Sequence, residues 1–460
     1  MPPLGLAILG AFIRKKGYEV KILDCEALML SHDSTVNEII DFGPDVVGLT
    51  AVTMAIESAA NLAWKIKEKA DLPVVIGGVH VSAMPEDTMR RYKCFDIGVV
   101  GEGENTIIEL LESLGAGSDL SRVKGILYHQ NGGIAQTPPR EFIEDLDSIP
   151  YPAWDLLPDL GKYYKPSVFG FKRLPAVSLI TSRGCPGRCT FCYHHLFGNR
   201  YRFHSAEYVL GMIQELIEKY DAKDFVIYDD TFIVNKKRLR EFCHLLLEKK
   251  LDIVWSANAR VDLVNPQLLS LMKKAGCWML AYGIESGDQE VLDNLKKKIT
   301  LEQISNAIKW TRDAKITSKG YFMVGTVADT RESIEKTARF ILDLPLDLIT
   351  VNHFTPFPGS EDYDQIAQFS NFDNDWTKFN QHEIVFEPKN LTREEIESSV
   401  TKITRAFYLR PRVLWHFFKK LCHPSYFLMM LKGAFAFMRF AFFRDREVAQ
   451  EIAVQEDHRP

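Results

Sequence analysis

Three cysteines stand close together in the run Cys185-Pro186-Gly187-Arg188-Cys189-Thr190-Phe191-Cys192. The run follows a short apolar stretch, 176–181, and carries Gly184, Pro186 and Gly187, so its thiols can turn inward around one centre. Thiolates at this spacing bind metal. A structural zinc site takes four protein ligands, whereas an iron–sulfur cluster is built on soft thiolates and can leave one iron open to an outside ligand. Three cysteines favour the open iron. A zinc knuckle completed by His194 or His195 is the competing reading.

Other polar groups fall at the ends of apolar runs: Tyr228-Asp229-Asp230-Thr231-Phe232, Ser256-Ala257-Asn258-Ala259-Arg260 and Gly283-Ile284-Glu285-Ser286-Gly287. Carboxylates there can accept from ammonium or hydroxyl groups, and an arginine can grip a carboxylate in a bidentate fork. Helix capping by Asp229 or Asp230 is the plainer alternative. Nearer the N-terminus, Thr50 with Thr53, Gly77-Gly78-Val79-His80 and Gly101-Glu102-Gly103-Glu104 occupy similar places. Glycines let the backbone approach a bulky ligand, although ordinary turn chemistry also uses them.

The elements that must position these residues follow from hydrophobic periodicity. Residues 2–114 alternate helix and strand, with strands expected at 18–23, 45–50, 73–77 and 95–100 and helices at 4–16, 56–70 and 104–114. This is a doubly wound pattern, whose ligands sit beyond the carboxyl ends of the strands. A hairpin is expected across 123–136, around Asn131-Gly132-Gly133. A proline-punctuated connector, 138–166, then joins two domains without adding a core. Strands at 177–181, 225–228, 253–257, 278–283, 319–324 and 348–352 alternate with helices, as in a partial (β/α)6 barrel with its active site at the strands' carboxyl face. The division is therefore 1–137, 138–166, 167–390 and a C-terminal helical segment, 391–460.

A chain of 460 residues, 46% hydrophobic and 25% charged, has the composition of soluble globular domains. Its formal net charge of −5 offers no polyanion-binding footprint, so nucleic acid is not an expected partner. The eight cysteines do not form a dense secreted framework and no signal peptide begins at Met1, which reads as a reducing cytoplasm. The aromatic stretch 407–443 carries only Lys432 and Arg439 between Tyr426 and Phe443. It suits packing that closes the barrel, or an interfacial helix reaching a membrane and a hydrophobic substrate.

The Cys-x3-Cys-x2-Cys run, with an aromatic before its last cysteine, resembles the signature of the radical S-adenosylmethionine (SAM) superfamily. Pro44-Asp45-Val46-Val47-Gly48, Gly77-Gly78-Val79-His80-Val81-Ser82 and Gly101-Glu102-Gly103-Glu104-Asn105-Thr106 are similar to the cobalamin-binding branch, with its class B methyltransferases and anaerobic protoporphyrin-ester cyclases. The resemblance implies a [4Fe–4S] cluster on Cys185, Cys189 and Cys192, SAM contacts from Asp230, Arg260 and Glu285, and a flavodoxin-like cobalamin domain. Thr50, Thr53, Gly77, Gly78, Gly101 and Glu102 would line the cobalamin site. It further implies an external one-electron reductant of flavodoxin or ferredoxin type, reductive SAM cleavage, and methylation or oxidative rearrangement of an unactivated carbon in a small molecule. Cyclisation without net methyl transfer, a non-catalytic iron–sulfur carrier and a zinc-stabilised scaffold are the alternatives. The chain departs from the family pattern in three places. It has no Asp-x-His-x-x-Gly, so His80 is not an implied cobalt ligand; the first strand of the flavodoxin-like sheet is missing; and Asp329 replaces a glutamate after the fifth barrel strand.

Overall fold

The computed structural model describes residues 1–164, 169–366, 372–411, 413 and 414. In the N-terminal sheet, β1 (Val47–Thr50), β2 (Val74–Gly77) and β3 (Ile97–Val99) are parallel. Side chains alternate across β2: Val74 and Ile76 pack under helices His32–Phe42 and Ile56–Lys69, while Val75 faces the side covered by Glu104–Gly115. Both faces are buried, as parallel sheets require.

The hairpin forms as β4 (Ile126–Gln130) and β5 (Gly133–Gln136), but it does not stand apart. β4 pairs antiparallel with β3, giving the order β1-β2-β3-β4-β5. The expected strand at 18–23 joins no ladder among the described residues, so β1 is an edge. A strand is completed by hydrogen bonds to a neighbour; here Ile22 packs over Gly10 instead, and Lys21 pairs with Glu38 at 2.7 Å.

The second sheet begins with β6 (Ala176–Leu179). A short antiparallel pair, β7 (Ser182–Arg183) and β8 (Arg202–Phe203), brackets the cysteine loop. Then follow β9 (Asp224–Ile227), β10 (Val254–Ala259), β11 (Cys277–Glu285), β12 (Thr317–Val324) and β13 (Leu348–His353), in the parallel order β13-β12-β11-β10-β9-β6. Six strands leave the barrel open between β6 and β13. Helix Arg393–Tyr408, started by a Thr392–Glu395 capping box, covers β13, and the Tyr408 hydroxyl donates to the Ile349 carbonyl at 2.7 Å. Of the aromatic C-terminal stretch, Phe407 and Tyr408 thus help close the barrel, while the rest of that expectation, beyond Leu414, lies outside the described residues. No helix among the described residues is long and apolar enough to cross a membrane.

The connector differs from a bare spacer. Trp154, Leu157 and Leu160 are buried with Leu4 and Ala7 in the barrel's own core, and the Ala153 amide donates to the Ala7 carbonyl at 2.9 Å. Its prolines stop long helices but leave room for the short turns Trp154–Leu156 and Leu160–Tyr163, which carry these apolar side chains. In return Tyr363, Trp376, Phe379 and Val385, from beyond the last barrel strand, enter the core of the N-terminal sheet.

Candidate active site

The cysteine loop leaves the barrel immediately after β6, and one buried carboxylate holds its root. Asp229, at the end of β9, accepts from the amides of Thr181 and Ser182 at 2.5 and 3.2 Å and from their hydroxyls at 2.7 and 2.6 Å. Burial raises its pKa, which these bonds and Arg238 oppose. Asp230 makes no such bonds: its residue surface is partly exposed, but the protein crowded around the carboxyl and the neighbouring Asp229 hold its pKa above the usual range. The two adjacent aspartates therefore divide into an anchor and an available ligand.

Gly187 lies in the hollow of the cysteine loop. A Cβ there would stand 3.3 Å from Cys185 Sγ, 4.0 Å from Cys189 Sγ and 3.8 Å from a guanidinium nitrogen of Arg260. Arg260 is oriented by Asp262 at 3.0 Å and by the Lys297 carbonyl at 3.0 Å. Burial pushes the thiols of Cys189 and Cys192 up. Among the described residues no three His, Cys, Asp or Glu side chains gather to hold a single ion, and His194 Nε2 faces the Cys189 carbonyl at 3.1 Å. A hollow lined by separate thiols and kept free of a side chain fits a cluster, whose thiolates bind different irons.

Glu285 occupies a left-handed backbone position, φ 71°, at an irregularity in the β11–β12 register, and its carboxylate pairs with buried Lys297 at 2.7 Å. Burial lowers the Lys297 pKa, but Glu285 and the thiols of Cys189 and Cys192 more than offset this, so the ammonium stays charged beside the cluster loop. Sequence reading missed Lys297 because it sits in Lys296-Lys297-Lys298, which looks like a solvated charge run. Asp329 is turned inward, accepting from the Gly325 and Thr326 amides at 3.0 and 2.9 Å, and so braces its own loop.

At the N-terminal sheet, Gly78 adopts φ 101° and ψ −172°, and a Cβ would meet Thr50 Oγ1 at 2.6 Å. Thr50 is exposed beside it, with the apolar side chains of Val52 and Met54 open to solvent just after β1. Gly77 ends β2 and Gly101, φ 79°, follows β3, with open space where its Cβ would be. This strand-end cradle, bare of side chains and flanked by apolar groups, fits a broad flat cofactor such as a corrin. Two residues expected to line it are turned elsewhere. Thr53 is buried, its hydroxyl 3.3 Å from His80 Nδ1, and His80 is itself fully buried against Trp376 rather than at the surface. Glu102 is bonded through both carboxylate oxygens: Arg183 and Arg202 at 2.9 Å each, and the Ile143 amide at 2.8 Å. Arg183 also pairs with Glu104. The side chain of Glu102 therefore ties the cobalamin-side loop to the cysteine loop instead of facing a ligand.

A second tie lies at the other end of the cysteine loop. Tyr193, next to Cys192, donates to the Ser82 carbonyl at 2.7 Å, and the Ser82 hydroxyl accepts from the Gly101 amide at 3.0 Å. The loops at the strand ends of both sheets are consequently held against each other.

Comparison with known proteins agrees with this pairing. Residues 1–111 match the B12 binding domain and residues 179–341 the radical SAM superfamily. An uncharacterized methyltransferase of Pyrococcus horikoshii is 38% identical over 90% of this chain and 89% of its own length. This chain belongs to the cobalamin-binding radical SAM family. The anaerobic magnesium-protoporphyrin IX monomethyl ester cyclase of Rubrivivax gelatinosus is 31% identical over 94% of this radical SAM chain and 78% of the cyclase. Two solved structures share its fold at 18% identity: OxsB, TM-score 0.74, covering 99% of this chain and 72% of that one, and TsrM from Kitasatospora setae, TM-score 0.68, covering 89% and 79%. The protein is thus an enzyme of the cobalamin-dependent methyltransferase and cyclase kind, with a [4Fe–4S] cluster, SAM and cobalamin as its cofactors and a small molecule as its substrate.

Proposed function

We propose that this radical SAM enzyme transfers a methyl group to an unactivated carbon of a small molecule held between the barrel mouth and the strand ends of the cobalamin domain. The observation that carries the reading is the double tie of the cysteine loop, through Arg183 and Tyr193, to the loops after β2 and β3. When bound, the cluster with SAM supplies one-electron hydrogen abstraction and cobalamin supplies methyl transfer.

In this reading Cys185, Cys189 and Cys192 are the cluster thiolates. Arg260, held by Asp262, offers its remaining guanidinium edge to the SAM carboxylate, and Asp230 accepts from SAM hydroxyl or ammonium groups. Glu285 acts with Lys297 as a pair that keeps a charge fixed beside the loop. Thr50, Gly77, Gly78 and Gly101 let the corrin lie against backbone. The reductant is an external one-electron donor of flavodoxin or ferredoxin type.

Anaerobic reconstitution with iron, sulfide and hydroxocobalamin, followed by a low-potential reductant and SAM, tests this. Iron and cobalt should both load, and S-adenosylhomocysteine should accumulate alongside 5′-deoxyadenosine. Deoxyadenosine without S-adenosylhomocysteine would favour ring formation without methyl transfer, the second reading, which the 31% identical cyclase supports. Iron loading without any SAM cleavage would leave neither.

A further inference from the structure

The barrel bore contains a cation, Lys319, that has no carboxylate partner among the described residues. On β12, Phe322 and Val324 pack outward into the core under the helices, so Lys319, Tyr321 and Met323 project into the bore. Lys319 stands in register with Ala281 and Leu348, just above a floor closed by Trp278, Met279 and Leu348. Its ammonium lies 4.5 Å from the centre of the Tyr321 ring. Burial and the nearby Tyr321 phenol raise the pKa of Tyr228, which stands just beyond the carboxyl end of β9. Of the nearby charges, Glu285 has Lys297, Arg260 has Asp262 and Asp229 has the root of the cysteine loop, while Asp230 forms no ion pair with Lys319. Among the described residues no carboxylate lies within ion-pair distance of Lys319. Desolvation lowers its pKa. A π face recovers only part of the hydration a buried ammonium gives up, so the site is stabilised most by an arriving anion.

We propose that Lys319 anchors an oxyanion group of the substrate, a carboxylate or a phosphate, inside the barrel bore, with Tyr228 and Tyr321 flanking the body of the same molecule. This rests on the radical SAM reading of the bore as the substrate chamber. The neutral part of the molecule then extends toward the mouth, where Gly187 and the cysteines lie. Lys319 is a specificity-determining group that acts by holding one end of the substrate, and no proton or electron passes through it.

The test uses the reconstituted holoenzyme with SAM and three small probes watched by fluorine NMR: 4-fluorobenzoate, 4-fluorophenyl phosphate and the neutral 4-fluorobenzamide. The enzyme should broaden the signal of at least one anion and leave the amide sharp. Preference for the benzoate or for the phosphate identifies which oxyacid the site takes. In Lys319→Met, and in Lys319→Gln as a second neutral variant, anion binding should weaken at least about tenfold, while Lys319→Arg retains it. Equal broadening of the amide, no broadening by either anion, or undiminished anion binding in both neutral variants overturns the proposal. Iron content and SAM cleavage by the wild-type protein, measured on the same preparation, report separately on the radical SAM reading: their loss would sink that assignment while the probe titrations still decide whether Lys319 binds anions.

Discussion

At the scale of residues, the cysteines show why spacing is a strong signal. Cys185 and Cys189 flank a hollow at Gly187 and Cys192 lies within electrostatic reach of both thiols, whereas Cys94 is buried in the core of the N-terminal sheet and Cys243 and Cys277 in that of the barrel. Cys185→Ala, Cys189→Ala and Cys192→Ala should each lose cluster iron on reconstitution, and Cys243→Ala should keep it. Iron retained in any of the first three would show that another thiol serves. His80, which the missing Asp-x-His-x-x-Gly motif leaves without a role, is a buried core residue. Burial, helped by Arg91, lowers its pKa from 6.5 to about 4, so the folded protein holds it neutral where the unfolded chain would protonate it. Stability is therefore full above pH 6.5 and declines as pH falls toward 4, by roughly 3 kcal/mol at about 1.4 kcal/mol per unit. His80→Phe should flatten that part of a plot of melting temperature against pH. An unchanged slope would assign the effect to other groups.

At the scale of elements, the periodicity of all six barrel strands was readable because each buries one row of side chains under helices and turns the other into the bore. Periodicity does not name a strand's neighbour. Residues 18–23 have the strand pattern but no ladder, and the hairpin of β4 and β5 joined the sheet through β3. Loop geometry at the strand ends is set by local backbone, and Gly78 is the sharpest instance. Its φ and ψ lie in a region nearly reserved for glycine, where a side chain costs roughly 1–3 kcal/mol, and an added Cβ would meet Thr50 Oγ1 at 2.6 Å. Gly78→Ala should thus lower the cobalt retained after desalting while iron loading persists. Full cobalt retention would place the corrin away from this turn.

At the scale of the whole molecule, two domains that look separable in sequence are joined by buried charge. Glu102 and Glu104 come from the N-terminal domain, Arg183 and Arg202 from either side of the cysteine loop, and all four are buried. Removing one member strands the others: Glu102→Ala leaves buried Arg183 with Glu104 alone and buried Arg202 with only the Ile143 and Phe197 carbonyls, at a cost of about 3–5 kcal/mol. Chemical denaturation should show that loss, and an unshifted midpoint would mean that solvent reaches the arginines. Because the same ties fix the cysteine loop against the cobalamin-side loops, the variant should also disturb the cluster's paramagnetic signal when cobalamin is bound.

The sequence by itself determined the class of chemistry and the sequence of elements, since thiol spacing, glycine-rich turns and hydrophobic period are local properties of the chain. It also pointed to the strand ends as the place where function sits. Only the tertiary structure decided which polar residues there remain free. Thr53 and Glu102 resemble ligands when read one at a time, yet each is bonded inward, Thr53 to His80 and Glu102 to arginines about 80 and 100 positions away. Lys297 and Lys319 were unreadable for the converse reason. A lysine's role depends on whether a carboxylate folds beside it, and that is settled by contacts between distant segments: Glu285 reaches Lys297, and no described carboxylate reaches Lys319.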